Sequence, residues 1–176
     1  MIVRKECAEL IRQAKNHSVS ILTGSRQIDR HLDVLSGTYV FSLLPPLSKN
    51  RGKELTKTPK FYFYDQGVLN SIIQDFRPLH LRQDMGKINE QFVYWELRKN
   101  LDIRYTLFYW RTADGKEVDF VLEKDRKYLP IEVKTGSAGK IPSGILHFFS
   151  YYPETRAAVV LHDGPESVHS AEGRTV

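Results

Sequence analysis

The sequence predicts an α/β chain of the α+β kind: a mixed sheet flanked by helices, preceded by a smaller helical segment with two strands of its own. Three observations predict it. Apolar residues recur at helical spacing in several separate stretches. In other stretches aromatic and β-branched residues alternate with polar ones, as in half-buried strands. In the second half these stretches follow the order helix, three strands, helix, strand.

In the first half, residues 4–15 read as a helix with Cys7, Leu10, Ile11 and Ala14 on one stripe. Ser25 can cap a second helix, on which Ile28, Leu32 and Leu35 repeat while Arg26, Gln27, Arg30 and His31 point away; Gly37 suits its end. Residues 39–44 and 61–64 are strand-like, and 67–74 form a short helix. Between the two strands lie Lys49, Arg51, Lys53, Lys57 and Lys60. Helix, basic helix, strand, basic loop, strand is the order of a winged helix-turn-helix, whose second helix enters a groove of DNA and whose wing contacts phosphate. On that reading Arg26, Arg30, Lys49, Arg51, Lys53, Lys57 and Lys60 are nucleic-acid-binding candidates. The alternative is a structural connector with a solvated basic loop.

In the second half, residues 86–100 read as a helix, 104–112, 116–123 and 128–135 as strands, 145–151 as a helix and 155–161 as a last strand. The chain then divides into a winged-helix-like segment and basic linker (1–60), a sheet domain (61–164) and a polar tail (165–176) expected to be unordered. Aromatic residues Phe148, Phe149, Tyr151 and Tyr152 suit packing against the sheet better than stacking on bases.

Bulk properties narrow the function classes. The net charge is +5 and the pI about 9.3, which suits a polyanionic partner such as DNA but equally a slightly basic solvated surface. No apolar run approaches the ~20 residues that span a bilayer. The first residues carry charges of both signs and no signal-peptide core. Cys7 is the single cysteine, which excludes an internal disulfide and any multi-cysteine zinc site. Together these features predict a cytoplasmic protein.

The chemistry concentrates in the two strands around residues 117–134. If they form a hairpin turning at Asp125-Arg126, one face pairs Val118 with Val133, Phe120 with Ile131 and Leu122 with Leu129, all apolar. The other face then sets Asp119 across from Glu132 and Glu117 across from Lys134. Two opposed carboxylates about 5 Å apart repel by roughly 3 kcal/mol at an effective dielectric near 20. A hard divalent cation such as Mg²⁺ or Mn²⁺ would turn that liability into a binding site. The preceding helix supplies a third acid, because Glu90 falls on the apolar stripe of Val93, Leu97 and Leu101. A salt bridge to a nearby Lys or Arg is the alternative for Glu90. Lys134 leaves the same face as Glu132 and could orient a water or stabilise charge on a phosphate; an ordinary ion pair with Glu117 is its alternative.

The order Glu90, Asp119, Glu132-Val133-Lys134 resembles the PD-(D/E)XK nuclease superfamily, which includes restriction endonucleases and Holliday-junction resolvases. The sequence more closely resembles a nuclease-like domain of unknown function at the C-terminus of many prokaryotic P-loop ATPases of the AAA type. The matching stretches are 60–67, 86–93, 109–112, 117–120 and 131–134, and residues 28–46 resemble the winged-helix segment that joins ATPase and nuclease-like domains. The resemblance implies a restriction-endonuclease-like fold, with Glu90, Asp119 and Glu132 as metal ligands and Lys134, Asp119 and Glu132 as catalytic residues. It implies Mg²⁺ or Mn²⁺ as cofactor, DNA as substrate and a P-loop ATPase domain or subunit as partner. Val118 stands where the superfamily name has proline. No G-x-x-x-x-G-K-[ST] occurs, since Gly139-Lys140 is followed by Ile141, so the chain is expected to be a fragment, a remnant of a longer gene or a split partner. Two functions follow as expectations: a metal-dependent nuclease, or a catalytically inactive nuclease-fold module that contacts nucleic acid or an ATPase.

Overall fold

The computed structural model describes residues 34, 36–48, 58–136, 140–171 and 173–176. The helix expected over 4–15, most of the one expected after Ser25, and Arg26, Arg30, Lys49, Arg51, Lys53 and Lys57 lie outside the described residues. The chain forms two compact units. The first comprises residues 1–42 and 63–76, the second 43–62 and 77–176. Among the described residues the architecture is mixed α/β, with three α-helices, and no helix is long and apolar enough to cross a membrane.

Strands β1 (Phe41–Leu44) and β2 (Lys60–Phe63) form a two-stranded sheet. In the first unit, helix α1 (Gln66–Ile73) starts at Asp65, whose carboxylate accepts the amides of Gly67 at 2.6 Å and Val68 at 3.3 Å. It stops at Gln74, held in the left-handed conformation at φ 56°.

The second unit is built on a four-stranded sheet in the order β3 (Thr106–Arg111), β4 (Glu117–Lys124), β5 (Lys127–Val133), β6 (Val159–Leu161). The first three strands are antiparallel neighbours. β6 runs parallel to β5, as the intervening helix α3 (Ser143–Tyr151) allows. Helix α2 (Met85–Asn100) precedes the sheet. Its stripe behaves as expected: Val93, Leu97 and Leu101 pack on a core of Tyr62, Tyr94, Leu107, Tyr109, Phe120, Leu122 and Ile131. Asp84 stands at its N-terminus without capping it, because Arg82 grips the carboxylate in a two-point bond of 2.9 and 2.7 Å. A second core joins α3 to the sheet, with Trp110, Val118, Val121, Ile145, Phe148, Phe149 and Tyr152 buried. The aromatic residues of α3 are thus packing residues, apart from the half-exposed Tyr151.

The β4–β5 hairpin turns at Asp125-Arg126, both with positive φ (52° and 60°). That is the primed turn the strand twist favours, reached here without the usual Asn-Gly. Phe120 pairs with Ile131 and Leu122 with Leu129, as the sequence predicts. The expected pairing of Val118 with Val133 does not form. The β3–β4 register shifts between Phe108 and Trp110, and this irregularity breaks the alternation of β4. Val118 joins the α3 core while Phe120 joins the α2 core. The tail expected to be unordered instead folds as β7 (Ser170–Ala171) and β8 (Arg174–Thr175), and the Ala158 amide donates to the Thr175 carbonyl at 2.9 Å. Its polar side chains left the sequence silent on backbone pairing, which needs no apolar pattern.

Helix α3 meets β4 at Gly144, where an added Cβ would collide with the Glu117 carbonyl oxygen. Gly144→Ala is therefore expected to cost about 1–3 kcal/mol through overpacking. Gly86→Ala, in open space within α2, is expected to be neutral or slightly stabilising. Urea unfolding of both variants beside the parent chain measures the contrast, and equal stabilities would refute the close-contact account.

Candidate active site

Residues from four elements meet in the second unit. Helix α2 brings Glu90, the start of β4 brings Glu117 and Asp119, β5 brings Glu132 with Lys134 just beyond it, and β2 brings Lys60 and Tyr62. On β2, Lys60 and Tyr62 lie two residues apart and so leave the strand on one side. Both reach Glu90: the Lys60 ammonium donates to Oε1 at 2.8 Å and the Tyr62 hydroxyl at 2.6 Å. The same ammonium lies 2.5 Å from Glu117 Oε1 and 3.5 Å from Asp119 Oδ1, with the Tyr109 ring 5.5 Å away.

The structure gives three of these side chains definite partners. Lys60, expected among the nucleic-acid-binding residues, stands among three acids, and only 22 % of its side chain is exposed. Glu90 has the salt bridge that its stripe position left open. Lys134 does not pair with Glu117; it donates to Glu132 Oε1 at 2.7 Å, while Glu117 also takes Arg111 at 3.2 Å.

The regular β4–β5 pairing ends at Phe120 and Ile131. Past that point the Asp119 carboxylate accepts the Val133 amide at 2.9 Å, in place of a ladder bond opposite Glu132. Asp119 remains close enough to Glu132 to feel its charge. Its carboxyl is pushed up to about 7, first by burial, then by the charges of Glu132 and Glu90, against the opposing pull of Lys60 and the Val133 amide. Burial pulls the Lys60 ammonium down, but Glu90 and Asp119 more than restore it, and it ends above the ordinary lysine value. Lys134 is likewise lowered by burial and raised on balance by its bond to Glu132, so it stays an ammonium. Burial and the charge of Glu90 push the Tyr62 phenol upward, keeping it a hydrogen-bond donor.

Glu132 is buried, 7 % exposed, and its Oε2 has no hydrogen-bond partner among the described residues. An unsatisfied buried carboxylate oxygen costs free energy and points to a missing donor or cation. Beside these groups opens a cleft of about 490 Å³ lined by Asp84, Gly86, Lys87, Glu90, Asp119 and Lys134, among others. Among the described residues no three acidic, histidine or cysteine side chains stand ready-made as a metal cage; the ammonium of Lys60 stands among three of the acids instead. Sequence reading passed over Tyr62 and Glu117 as site residues and assigned Lys60 to a nucleic-acid-binding loop instead of to the acids. The available signal was a lysine beginning an otherwise aromatic strand, where a buried charge demands a partner.

An aspartate that titrates near 7 when folded and near 4 when unfolded keeps its proton in the folded state over a range where the unfolded chain has lost it. The resulting contribution is largest below about pH 4, falls as the pH rises to about 7, and is level above that. Asp119→Asn keeps an acceptor for the Val133 amide and removes the charge. It is expected to flatten this fall and to make the metal-free protein more stable at pH 8 by about 1–3 kcal/mol. Urea midpoints at pH 5 and pH 8 test this; a variant less stable at both would mark Asp119 as a structural hydrogen-bonding residue.

Comparison with known proteins places the chain among relatives that are themselves uncharacterized. It is 32% identical over 114 residues to the uncharacterized protein Rv2008c of Mycobacterium tuberculosis and, equally, to the uncharacterized protein Mb2031c of Mycobacterium bovis. The match covers 64% of this chain and 26% of each relative, so the chain spans about a quarter of the length of the curated relatives it matches. Residues 12–79 match a family described as domain of unknown function DUF8612. Residues 85–176, more than half of the chain and including Glu90, Asp119, Glu132 and Lys134, match the family described as domain of unknown function DUF4143, and the chain belongs to that family.

Proposed function

We propose that the second unit is a restriction-endonuclease-like domain of the PD-(D/E)XK type, acting on DNA as a Mg²⁺- or Mn²⁺-dependent phosphodiesterase. In this reading the chain is the C-terminal part of an AAA-type ATPase family protein of the cytoplasm, and the segment leading into β2 is winged-helix-like. The observation that carries it is the gathering of Glu90, Asp119, Glu132 and Lys134, from one helix and two strands, beside one open cleft. The donor set suits a hard divalent ion, since every candidate ligand is a carboxylate oxygen. The unpartnered Glu132 Oε2 supports the same reading.

Glu90, Asp119 and Glu132 would hold the ion, which when bound supplies an activated water and neutralises charge on the phosphate. The remaining work falls to the chain. Lys134, kept protonated beside Glu132, donates to a non-bridging phosphate oxygen as negative charge develops there. Lys87 at the cleft adds positive charge for the DNA backbone. Arg26, Arg30, Lys49, Arg51, Lys53 and Lys57 supply further phosphate contacts.

A second reading has its own observation. The Lys60 ammonium already pairs with three of the acids, which favours a catalytically inactive nuclease-fold module that contacts nucleic acid or an ATPase. Thermal melting with millimolar Mg²⁺ or Mn²⁺, run beside a DNA cleavage assay, separates the two. The nuclease reading expects the divalent ion to raise the melting temperature of the parent chain. It expects Asp119→Asn to lose both that rise and cutting, and Lys134→Ala to keep the rise but not cut. A parent chain whose melting ignores both ions and which leaves DNA intact is the inactive module. For either reading, DNA affinity should fall steeply between about 50 and 200 mM salt, and neutralising Lys49, Arg51 and Lys53 should flatten that slope; absence of binding at low salt would remove DNA as the partner.

A further inference from the structure

The Lys60 side chain meets three acids at once, and two of them, Glu90 and Asp119, are the acids assigned above to the metal. It is held on the remaining side by the Tyr109 ring, a favourable neighbour for a cation. Yet the neutralisation is incomplete. Among the described residues, Glu90, Glu117, Asp119 and Glu132 share two lysines and, at the rim, Arg111, and Glu132 Oε2 is buried with no partner. A tethered monovalent ammonium fills the place and leaves charge over.

We infer that the Lys60 ammonium is a built-in counter-cation standing where a divalent ion binds, so that metal enters only as Lys60 withdraws from Glu90 and Asp119. The inference rests on the metal-dependent reading. Magnesium ligated through Glu90 Oε1 would sit about 2.1 Å from that oxygen. An ammonium 2.8 Å from the same atom would then stand within about 5 Å of the ion, and like charges at such range repel. The flexible four-carbon stem of lysine permits withdrawal without movement of β2. In the metal-free state Lys60 keeps the carboxylates together; in the bound state the divalent ion does so. Metal affinity is thereby lowered by the cost of displacing Lys60.

The experiment measures Mn²⁺ binding by calorimetry and melting on the full chain, with no reliance on activity. Lys60→Met alone leaves an excess of acids and can fail to fold, so the comparison uses Glu117→Gln with and without Lys60→Met. Glu117 is outside the proposed ligand set, and the double change removes one charge of each sign. The expected result is Mn²⁺ affinity at least tenfold tighter in the double variant than in Glu117→Gln, with a larger Mn²⁺-induced rise in melting temperature. Equal or weaker affinity in the double variant overturns the inference and leaves the metal reading standing. Absence of Mn²⁺ binding in the parent and in both folded variants overturns the two together.

Discussion

The second unit depends on one electrostatic constraint: an ammonium and several carboxylates drawn from distant parts of the chain must be buried together. Lys60 on β2 meets Glu90 on α2 and Glu117 and Asp119 on β4. Removed from one another, each would be a half-buried charge with no partner, and the chain would have to expose or neutralise it. Held together, they tie helix, ribbon and sheet at one point. The aromatic layer beneath, with Tyr62 stacked on Tyr94 at 4.1 Å and leaning on Phe120 at 5.9 Å, makes the same junction from the apolar side. Tyr62 belongs to both layers, its ring in the core and its hydroxyl on Glu90.

The strand irregularity near Phe108 and Trp110 has a consequence for chemistry as well as packing. By breaking the alternation of β4, it sends Val118 to the α3 core, while Asp119 meets Lys60 and Phe120 meets Tyr62 and Tyr94. Because the ladder ends at Phe120, the Asp119 carboxylate is free to take the Val133 amide. That bond fixes the acid where Glu132 and Glu90 raise its proton affinity. Gly144, pressed against the Glu117 carbonyl, sets the same strand end from the other side of the sheet. Bulges beside functional groups re-aim side chains in this way.

Stability alone does not explain this junction. Glu132, with an unpartnered buried oxygen, and Asp119, with a carboxyl driven up to about 7, are poor choices for a fold that only has to persist. Residues kept at such a cost are understandable as parts of a binding site. The family relationship leaves that interpretation open to direct test, since the matched relatives are uncharacterized and four times longer than the part they share with this chain.

Much was determined by the sequence alone. Periodicity placed α2, α3 and the strands of the main sheet within a few residues. Apolar pairing set the register of Phe120 with Ile131 and Leu122 with Leu129. The helical stripe brought Glu90 to the core side. These are local properties, governed by repeats of 3.6 and 2 residues. Only the tertiary structure decided that Lys60 pairs with Glu90, Glu117 and Asp119, that Val118 leaves the face of Phe120, and that the polar tail pairs as β7 and β8. An ion pair spanning 59 residues, from Lys60 to Asp119, has no periodic trace, a strand irregularity follows from packing against a neighbour, and backbone pairing is indifferent to side-chain polarity.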